Sequence, residues 1–299
     1  MVKNFKELVK LAQKRGPKRI SVAIAHDEDV LLAVKEAHDL GIVEGILVGD
    51  EQIIRELSRR IGFSLKRFTI INEHDLIHGS EIAVDEIVKG NADILMKGLV
   101  DTSIILKAVL KRPELRGETL LSHVAVFEIP TYHKLLLMSD AAMIIAPTLE
   151  QKAAIIKNSV EVAKALSIEV PKVAILSAKE KVYEKMPSTV DAGKLVEMGQ
   201  RGEITGCILG GPFALDNAIS KTAAEHKGID HPVAGDADIL IVPQIESGNI
   251  LYKALNFLGN ATSAGLIVGA KVPIVLTSRA DQPISKLNSI VLAALSVKK

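Results

Sequence analysis

The chain has 299 residues and is 48% hydrophobic, yet no apolar run reaches the roughly 20 residues that a membrane-spanning helix needs. Lys and Arg number 37 against 36 Asp and Glu, a net charge of +1, so no whole-molecule field argues for nucleic acid or an anionic membrane; aromatics at 3% with no Trp leave little for bases to stack on. Cys207 is the only cysteine, which excludes an intramolecular disulfide, and Met1 to Lys14 lacks the apolar core of a signal peptide, so the expected address is the cytoplasm.

Short apolar runs alternate with helical patterns from end to end, the signature of a mainly parallel α/β sheet. Helical periodicity through Phe5, Leu8, Val9 and Ala12 comes first. Strands are predicted at Ile20–Ala25 and Gly45–Val48, with helices at Val30–Leu40 and Glu51–Ile61. Strands Phe68–Ile71 and Ile94–Met96 follow, with helices Glu81–Lys89 and Ser103–Leu110. Arg, Pro and Gly cluster near Arg112–Glu118 and mark a boundary, so that 1–117 with 272–299 form one lobe and 118–271 the other. The next stretch differs: Leu121–Glu128, Leu135–Met138 and Ala142–Ile145 are strands with no helix between them, separated by the turn Pro130-Thr131-Tyr132, which predicts an antiparallel insertion or crossover. Helix Leu149–Leu166, strand Val173–Ser177, helix Thr189–Gln200, strand Gly206–Leu209 and helix Asp216–Glu225 restore the alternation. Strand Ile239–Val242, helix Gly248–Leu258, strand Pro273–Thr277 and helix Ile284–Leu295 complete it. Thr148-x-x-Gln151 and Ser188-x-x-Asp191 fit capping boxes.

In parallel α/β folds, ligands bind beyond the carboxyl ends of the strands. Two polar clusters have that position. Ser247-Gly248-Asn249 can offer free N–H groups and the positive end of a helix dipole to phosphate, or can be a simple cap. In Ser278-Arg279-Ala280-Asp281, an Arg beside a hydroxyl can grip phosphate bidentately, the alternative being a surface ion pair between Arg279 and Asp281. Lys97 and Lys107 can lend positive charge to a crevice or stay solvated. Gly210-Gly211-Pro212 reads as a tight strand-to-helix turn. His74 and His78 have the spacing of two ligands on one helical face, but Asn72, Asp75 and Gly79 mark a loop or ragged helix start, and no metal is expected. Cys207 reads as a buried structural thiol within a strand. Neither GxGxxG nor GxxxxGK[ST] occurs, against a Rossmann dehydrogenase and a P-loop enzyme.

Taken together, Gly211-Pro212-Phe213-Ala214-Leu215-Asp216-Asn217-Ala218, Val233-Ala234-Gly235-Asp236-Ala237-Asp238, Ser247 to Lys253 and Ser278-Arg279-Ala280-Asp281 give a chain that resembles the phosphate acetyl/butyryl transferases over essentially its whole length. The compact length and the Ser-Arg-Ala-Asp form are more similar to the butyryl branch. The resemblance implies two α/β lobes with mainly parallel sheets, like those of isocitrate and isopropylmalate dehydrogenases, and an active site in the cleft between them. It implies reversible transfer of a short acyl group between CoA and inorganic phosphate, with CoA as substrate and no organic or metal cofactor. The expected partners are acyl-CoA and phosphate, not nucleic acid or membrane, and the expected assembly is a homo-oligomer.

The family's chemistry is direct attack of CoA thiolate on the acyl-phosphate carbonyl in a ternary complex. Carried over by motif, Ser278 would hydrogen-bond the developing oxyanion or phosphate, and Arg279 would hold phosphate and stabilise transferred charge. Lys107 aligns with an arginine of acetyl-transferring relatives, keeping the charge and losing the bidentate fork. Those relatives deprotonate the thiol with an aspartate a few residues beyond Ser-Arg; gapless counting puts Ser285 there, so Asp281, the nearest carboxylate, is expected to be the base or to orient it. Ser247, Gly248 and Asn249 would line the phosphate side. Two rivals stand beside this reading: a phosphate acetyltransferase, and a non-catalytic module that senses acyl-CoA or oligomerises.

Overall fold

The computed structural model describes residues 2–276 and 282–298. The chain divides into two compact units, one of Phe5–Glu118 with Ala264–Lys299, the other of Met1–Asn4 with Thr119–Ser263. Among the described residues, no helix is long and apolar enough to cross a membrane.

The first unit opens with α1 (Phe5–Arg15), whose buried face is Phe5, Leu8 and Ala12. Strands and helices then alternate as β1 (Lys18–Ala23), α2 (Glu28–Asp39), β2 (Val43–Gly49), α3 (Glu51–Arg60), β3 (Phe68–Asn72), α4 (Leu76–Val88), β4 (Ile94–Lys97) and α5 (Thr102–Leu110). Asp27, Asp50 and Asp75 each cap the following helix, their carboxylates accepting the amides of Val30, Ile53 and His78. The cap at Asp75 starts α4 at Leu76, ahead of the expected Glu81, so the stretch read as a loop around Gly79 is helix. β1 pairs in parallel with β2 and β4, and β2 with β3. All of β4 is buried, as expected of a strand covered on both faces.

In the second unit, β5 (Ser122–Glu128) and β6 (Leu136–Ser139) form the antiparallel pair that the Pro130-Thr131-Tyr132 turn predicts, with Phe127 opposite Leu136. Ala142–Ile145 is not a strand. Asp140 Oδ1 accepts from Ala142 N at 2.8 Å and Met143 N at 2.9 Å, and this turn ends the extended run at Ser139. α6 (Leu149–Ala165) has the Thr148–Gln151 capping box. β7 (Lys172–Leu176) leads to α7 (Pro187–Gln200), where the second capping box does not form: Ser188 Oγ bonds Ser177 Oγ and Asp191 pairs with Lys152 Nζ.

β8 (Ile208–Phe213) carries Gly210-Gly211-Pro212 inside the strand, not in a turn. A Cβ on Gly210 would lie 2.7 Å from the Phe213 and His231 rings, and one on Gly211 3.0 Å from Ile175, so close packing against neighbours accounts for both glycines. The single helix expected at Asp216–Glu225 is two, α8 (Leu215–Ile219) and α9 (Lys221–His226), because Ser220 caps the second by accepting from Ala223 N. β9 (Ile239–Ile241) and α10 (Ile245–Phe257) complete the unit. Its strand order is β5-β6-β9-β7-β8, parallel from β6 onward, around a core that includes Phe127, Met138, Phe213 and Leu240.

Asp236 and Asp238, from one of the family-like motifs, are tied into this sheet by two lysines. Lys134 Nζ lies 2.6 Å from Asp238 Oδ1, a close ion pair off the hydrogen-bonding direction, and 3.0 Å from Asp236 Oδ1. Lys172 reaches Asp236 with its ammonium at 2.5 Å and Asp238 with its backbone amide at 2.8 Å. Burial acts to raise the Asp236 pKa, but the hydrogen bonds from Lys172 and Lys134 outweigh it and hold the carboxyl well below the usual range.

The chain then passes through β10 (Thr262–Val268), β11 (Ile274–Val275) and α11 (Pro283–Ser296). β10 was not expected from the sequence: it is buried on both faces and rich in small residues, so it has no period-2 alternation. Ile267 pairs antiparallel with Ile274, and β11 runs parallel to β4, giving the order β3-β2-β1-β4-β11-β10. α11 begins at Pro283 and buries Lys286, whose ammonium lies 3.0 Å from Asp29 on α2.

Candidate functional site

The carboxyl ends of the second unit's parallel strands, β6, β9, β7 and β8, share one edge. Ser139 on β6 and Ile175 on β7 both stand beside Ile241 on β9, so the segments that follow these strands leave the sheet at the same level. The turn after β6 is organised by Asp140, which is 3% exposed; besides Ala142 and Met143, it accepts from His123 N at 3.2 Å through Oδ2. Ser139 Oγ donates to His123 O at 2.7 Å, and the His123 ring meets the edge of Tyr252, whose hydroxyl lies 3.4 Å from Ser263 Oγ.

The start of α10 docks on that turn. Val242 N donates to Ser139 O, Ile245 N to Ile145 O, and Asn249 Nδ2 to Ala141 O at 3.3 Å. Gly248 is the contact point: a Cβ there would sit 2.8 Å from Asp140 O and 3.1 Å from Ala141 Cα. The helix begins three residues before the expected Gly248, with Gln244 as its cap, so Ser247 and Gly248 lie in its first turn and Asn249 just beyond it. Gln244 Oε1 accepts from Glu246 N at 2.6 Å, and Gln244 O accepts from Gly248 N at 3.2 Å and Ser247 Oγ at 2.8 Å. With the Ile245 amide also engaged, two of the four amides that a helix start leaves over are taken, those of Ile245 and Glu246, while the Gly248 bond is the helix's first i→i−4 bond. Acidic Glu246 stands in the same turn. Asn249, exposed just beyond that turn, offers a ligand its side chain.

In the first unit, Lys97 closes β4. It is buried, and its ammonium donates to Gly98 O at 3.1 Å and Val100 O at 3.0 Å. Lys107 lies exposed on α5. Ser278, Arg279 and Asp281 lie outside the described residues. Ser285 lies in the first turn of α11, where its N–H donates to Gln282 O and its carbonyl accepts from Ser289 Oγ at 2.7 Å.

The other candidates resolve locally. His74 Nδ1 stands 3.0 Å from Asp50, and His78 Nδ1 stands 2.6 Å from Glu73, so each has its own carboxylate. Among the described residues, no group of three or more His, Cys, Asp or Glu is placed to hold a metal ion. Cys207 precedes β8 and is half-buried; burial pushes its thiol up to about 11, only partly opposed by Lys164, which leaves it a poor nucleophile. Sequence reasoning missed Asp140, His123 and Tyr252. The available signal for the first was Ser-Asp-Ala-Ala after an apolar run, a side-chain-capped turn that was taken for a strand.

Residues 76–294 match the family described as Phosphate acetyl/butaryl transferase. The Phosphate butyryltransferase of Clostridium beijerinckii is 47% identical over 296 residues, covering 99% of this chain and 98% of that one. The Phosphate acetyltransferase of Thermotoga maritima is 46% identical over 292 residues, covering 97% and 99%. A solved structure of a branched-chain phosphotransacylase from Enterococcus faecalis superposes with a TM-score of 0.82 at 36% identity, covering 94% of this chain and 99% of that one.

Proposed function

From the premise that this chain belongs to the phosphate acetyl/butaryl transferase family, and is therefore a phosphate acyltransferase, we propose that its preferred reaction is butyryl-CoA + phosphate ⇌ butyryl phosphate + CoA. The observation that carries the acyl preference is the 47% identity, with both chains covered almost end to end, to a phosphate butyryltransferase. The acetyl-transferring relative at 46% makes acetyl the rival, since one percentage point separates them.

In the thioester-forming direction, the CoA thiol gives its proton to Asp281 and the thiolate attacks the butyryl carbonyl. The C–S bond forms, the C–O bond to phosphate breaks, and the departing phosphate recovers the proton from Asp281. Ser278 donates a hydrogen bond to the tetrahedral oxyanion, and Arg279 neutralises the phosphate that accumulates charge. A thiol of ordinary pKa about 8.5 needs only modest help, which a neighbouring carboxylate beside Arg279 supplies. Lys97 and Lys107 add positive charge for the phosphate or the thioester. The protein works as a homo-oligomer, which light scattering of the purified chain checks.

Phosphate-dependent release of thiol, followed with butyryl-CoA and acetyl-CoA, tests the reading. The two additional methylenes should raise kcat/KM by about tenfold or more, the usual worth of one or two methylenes in a fitted pocket. Equal or better use of acetyl-CoA overturns the acyl assignment. A protein that binds CoA yet releases thiol from neither favours the non-catalytic reading. Asp281→Asn should depress kcat and remove the acid limb of its pH profile; an unchanged profile removes Asp281 from the base role.

A further inference from the structure

We propose that the loop Ser177–Met186, between β7 and α7, binds the adenosine 3′-phosphate 5′-diphosphate end of CoA, a reading that rests on CoA being a substrate. The loop leaves β7 beside β9, where Ile175 stands opposite Ile241, so it emerges on the edge that also carries Asp140 and Asn249. A thioester presented there would extend its nucleotide end over neighbouring loops of the same edge.

The chemistry of the loop suits that end of the molecule. Lys179, Lys181 and Lys185 are exposed, and among the described residues no carboxylate stands within ion-pairing distance of them. Glu180, which would otherwise cancel one of them, is drawn away: its Oε1 accepts from Asn217 Nδ2 at 2.7 Å and lies 2.5 Å from Lys227 Nζ. Three ammonium groups without an ion-pair partner among the described residues, against the one remaining loop carboxylate of Glu184, suit a ligand with three phosphates.

The same loop supplies a flat apolar surface. Tyr183 is 43% exposed and Val182 57%, and Lys179 Nζ lies 4.3 Å from the centre of the Tyr183 ring. The chain has only three tyrosines. Tyr132 bonds Ala237 O and Tyr252 packs on Phe127, which leaves Tyr183 as the one facing water. An exposed ring with a cation over one face and lysines around it fits a purine flanked by phosphates. The loop backbone at Tyr183 is also held in place: Tyr183 N donates to Thr189 Oγ1 at 2.8 Å, Thr189 Oγ1 donates to Tyr183 O at 3.0 Å, and Met186 N donates to the same carbonyl. A fixed loop loses little entropy on binding.

The test compares butyryl-CoA with butyryl-pantetheine, which lacks the nucleotide end, on the full chain, on Lys179→Ala/Lys181→Ala/Lys185→Ala and on Tyr183→Ala. The ratio of kcat/KM for the two substrates should fall about tenfold or more in the triple variant, with the deficit shrinking at high salt, and several-fold in Tyr183→Ala with little salt dependence. A variant that folds poorly loses both activities in proportion and leaves the ratio intact. A ratio equal to the parent's in both variants overturns the proposal. If the parent releases thiol from neither substrate, the acyl-transfer reading fails instead. Calorimetric titration of CoA into parent and triple variant then decides the loop alone: weaker binding to the variant supports it, and equal Kd values overturn it.

Discussion

Replacing Asp140 tests whether a single buried carboxylate holds the edge on which α10 docks. Its three accepted bonds are unequal in what they cost to break. The amides of Ala142 and Met143 lie on an exposed to half-buried turn and can recover water, so each is worth about 1 kcal/mol, whereas the amide of buried His123 has no such recourse and is worth about 1–3 kcal/mol. Asp140→Ala loses all three, about 3–5 kcal/mol. Asp140→Asn keeps Oδ1 on Ala142 and Met143 and turns an NH2 toward the His123 N–H, so it loses only the third, about 1–3 kcal/mol. Urea unfolding followed by far-UV circular dichroism measures both, and kcat/KM should fall in the same order, since the turn carries the Ala141 carbonyl that receives Asn249. Loss of less than about 1 kcal/mol in the alanine variant, or equal loss in the two, refutes the reasoning.

Two further outcomes follow from charge and burial. The Asp236 carboxyl is held below its unfolded value by Lys172 and Lys134, so its contribution is present above the unfolded pKa near 4 and is lost as pH falls toward the folded one. Asp236→Asn should therefore be about 2–4 kcal/mol less stable at pH 7, somewhat below the roughly 3–5 kcal/mol for breaking a fully buried pair because Asp236 is half-buried, and the gap should close in urea titrations below about pH 4; a gap that persists in acid contradicts this. The Cys207 thiol, pushed up to about 11, is ionised in about one molecule in a thousand at pH 8. Alkylation of the native protein should be far slower than of a free thiol, and Cys207→Ala should retain turnover; rapid inactivation by iodoacetamide would refute the buried assignment.

The alternation of strands and helices was legible because parallel strands buried on both faces leave bare apolar runs, and Thr148 announces the helix after it. The errors share a cause. Where a side chain bonds its own backbone, the local composition misleads: Asp140 turns an apolar stretch into a loop, Ser220 splits a helix, and Gln244, a less common cap, starts α10 before the Ser-Gly-Asn that looks like its beginning. β10 escaped because its small residues carry neither alternation nor a long apolar run. Gly210 and Gly211 misled in the opposite sense, since their demand comes from the Phe213, His231 and Ile175 side chains and not from a turn. Of the candidate clusters, Ser247–Asn249 was readable as following a strand, but which amides near it are engaged was not, because Ile145 and Gln244 bond those of Ile245 and Glu246 from outside the motif.

That last point changes what Asn249 should do. A phosphate approaching the start of α10 meets Glu246, a like charge, and finds the amides of Ile245 and Glu246 already engaged by Ile145 O and Gln244 Oε1. That arrangement disfavours an anion there, and the expected contact of Asn249 is a neutral polar group such as an amide of the pantetheine arm. Asn249 is exposed, and among the described residues its side chain is engaged through Nδ2 alone, with Ala141 O, so its Oδ1 can accept from an amide N–H. Asn249→Ala should therefore raise KM for butyryl-CoA several-fold with KM for phosphate held near its parent value, measured by varying each substrate at saturation of the other. A rise confined to phosphate would return the anion to the helix start and require the Gln244 cap to open on binding.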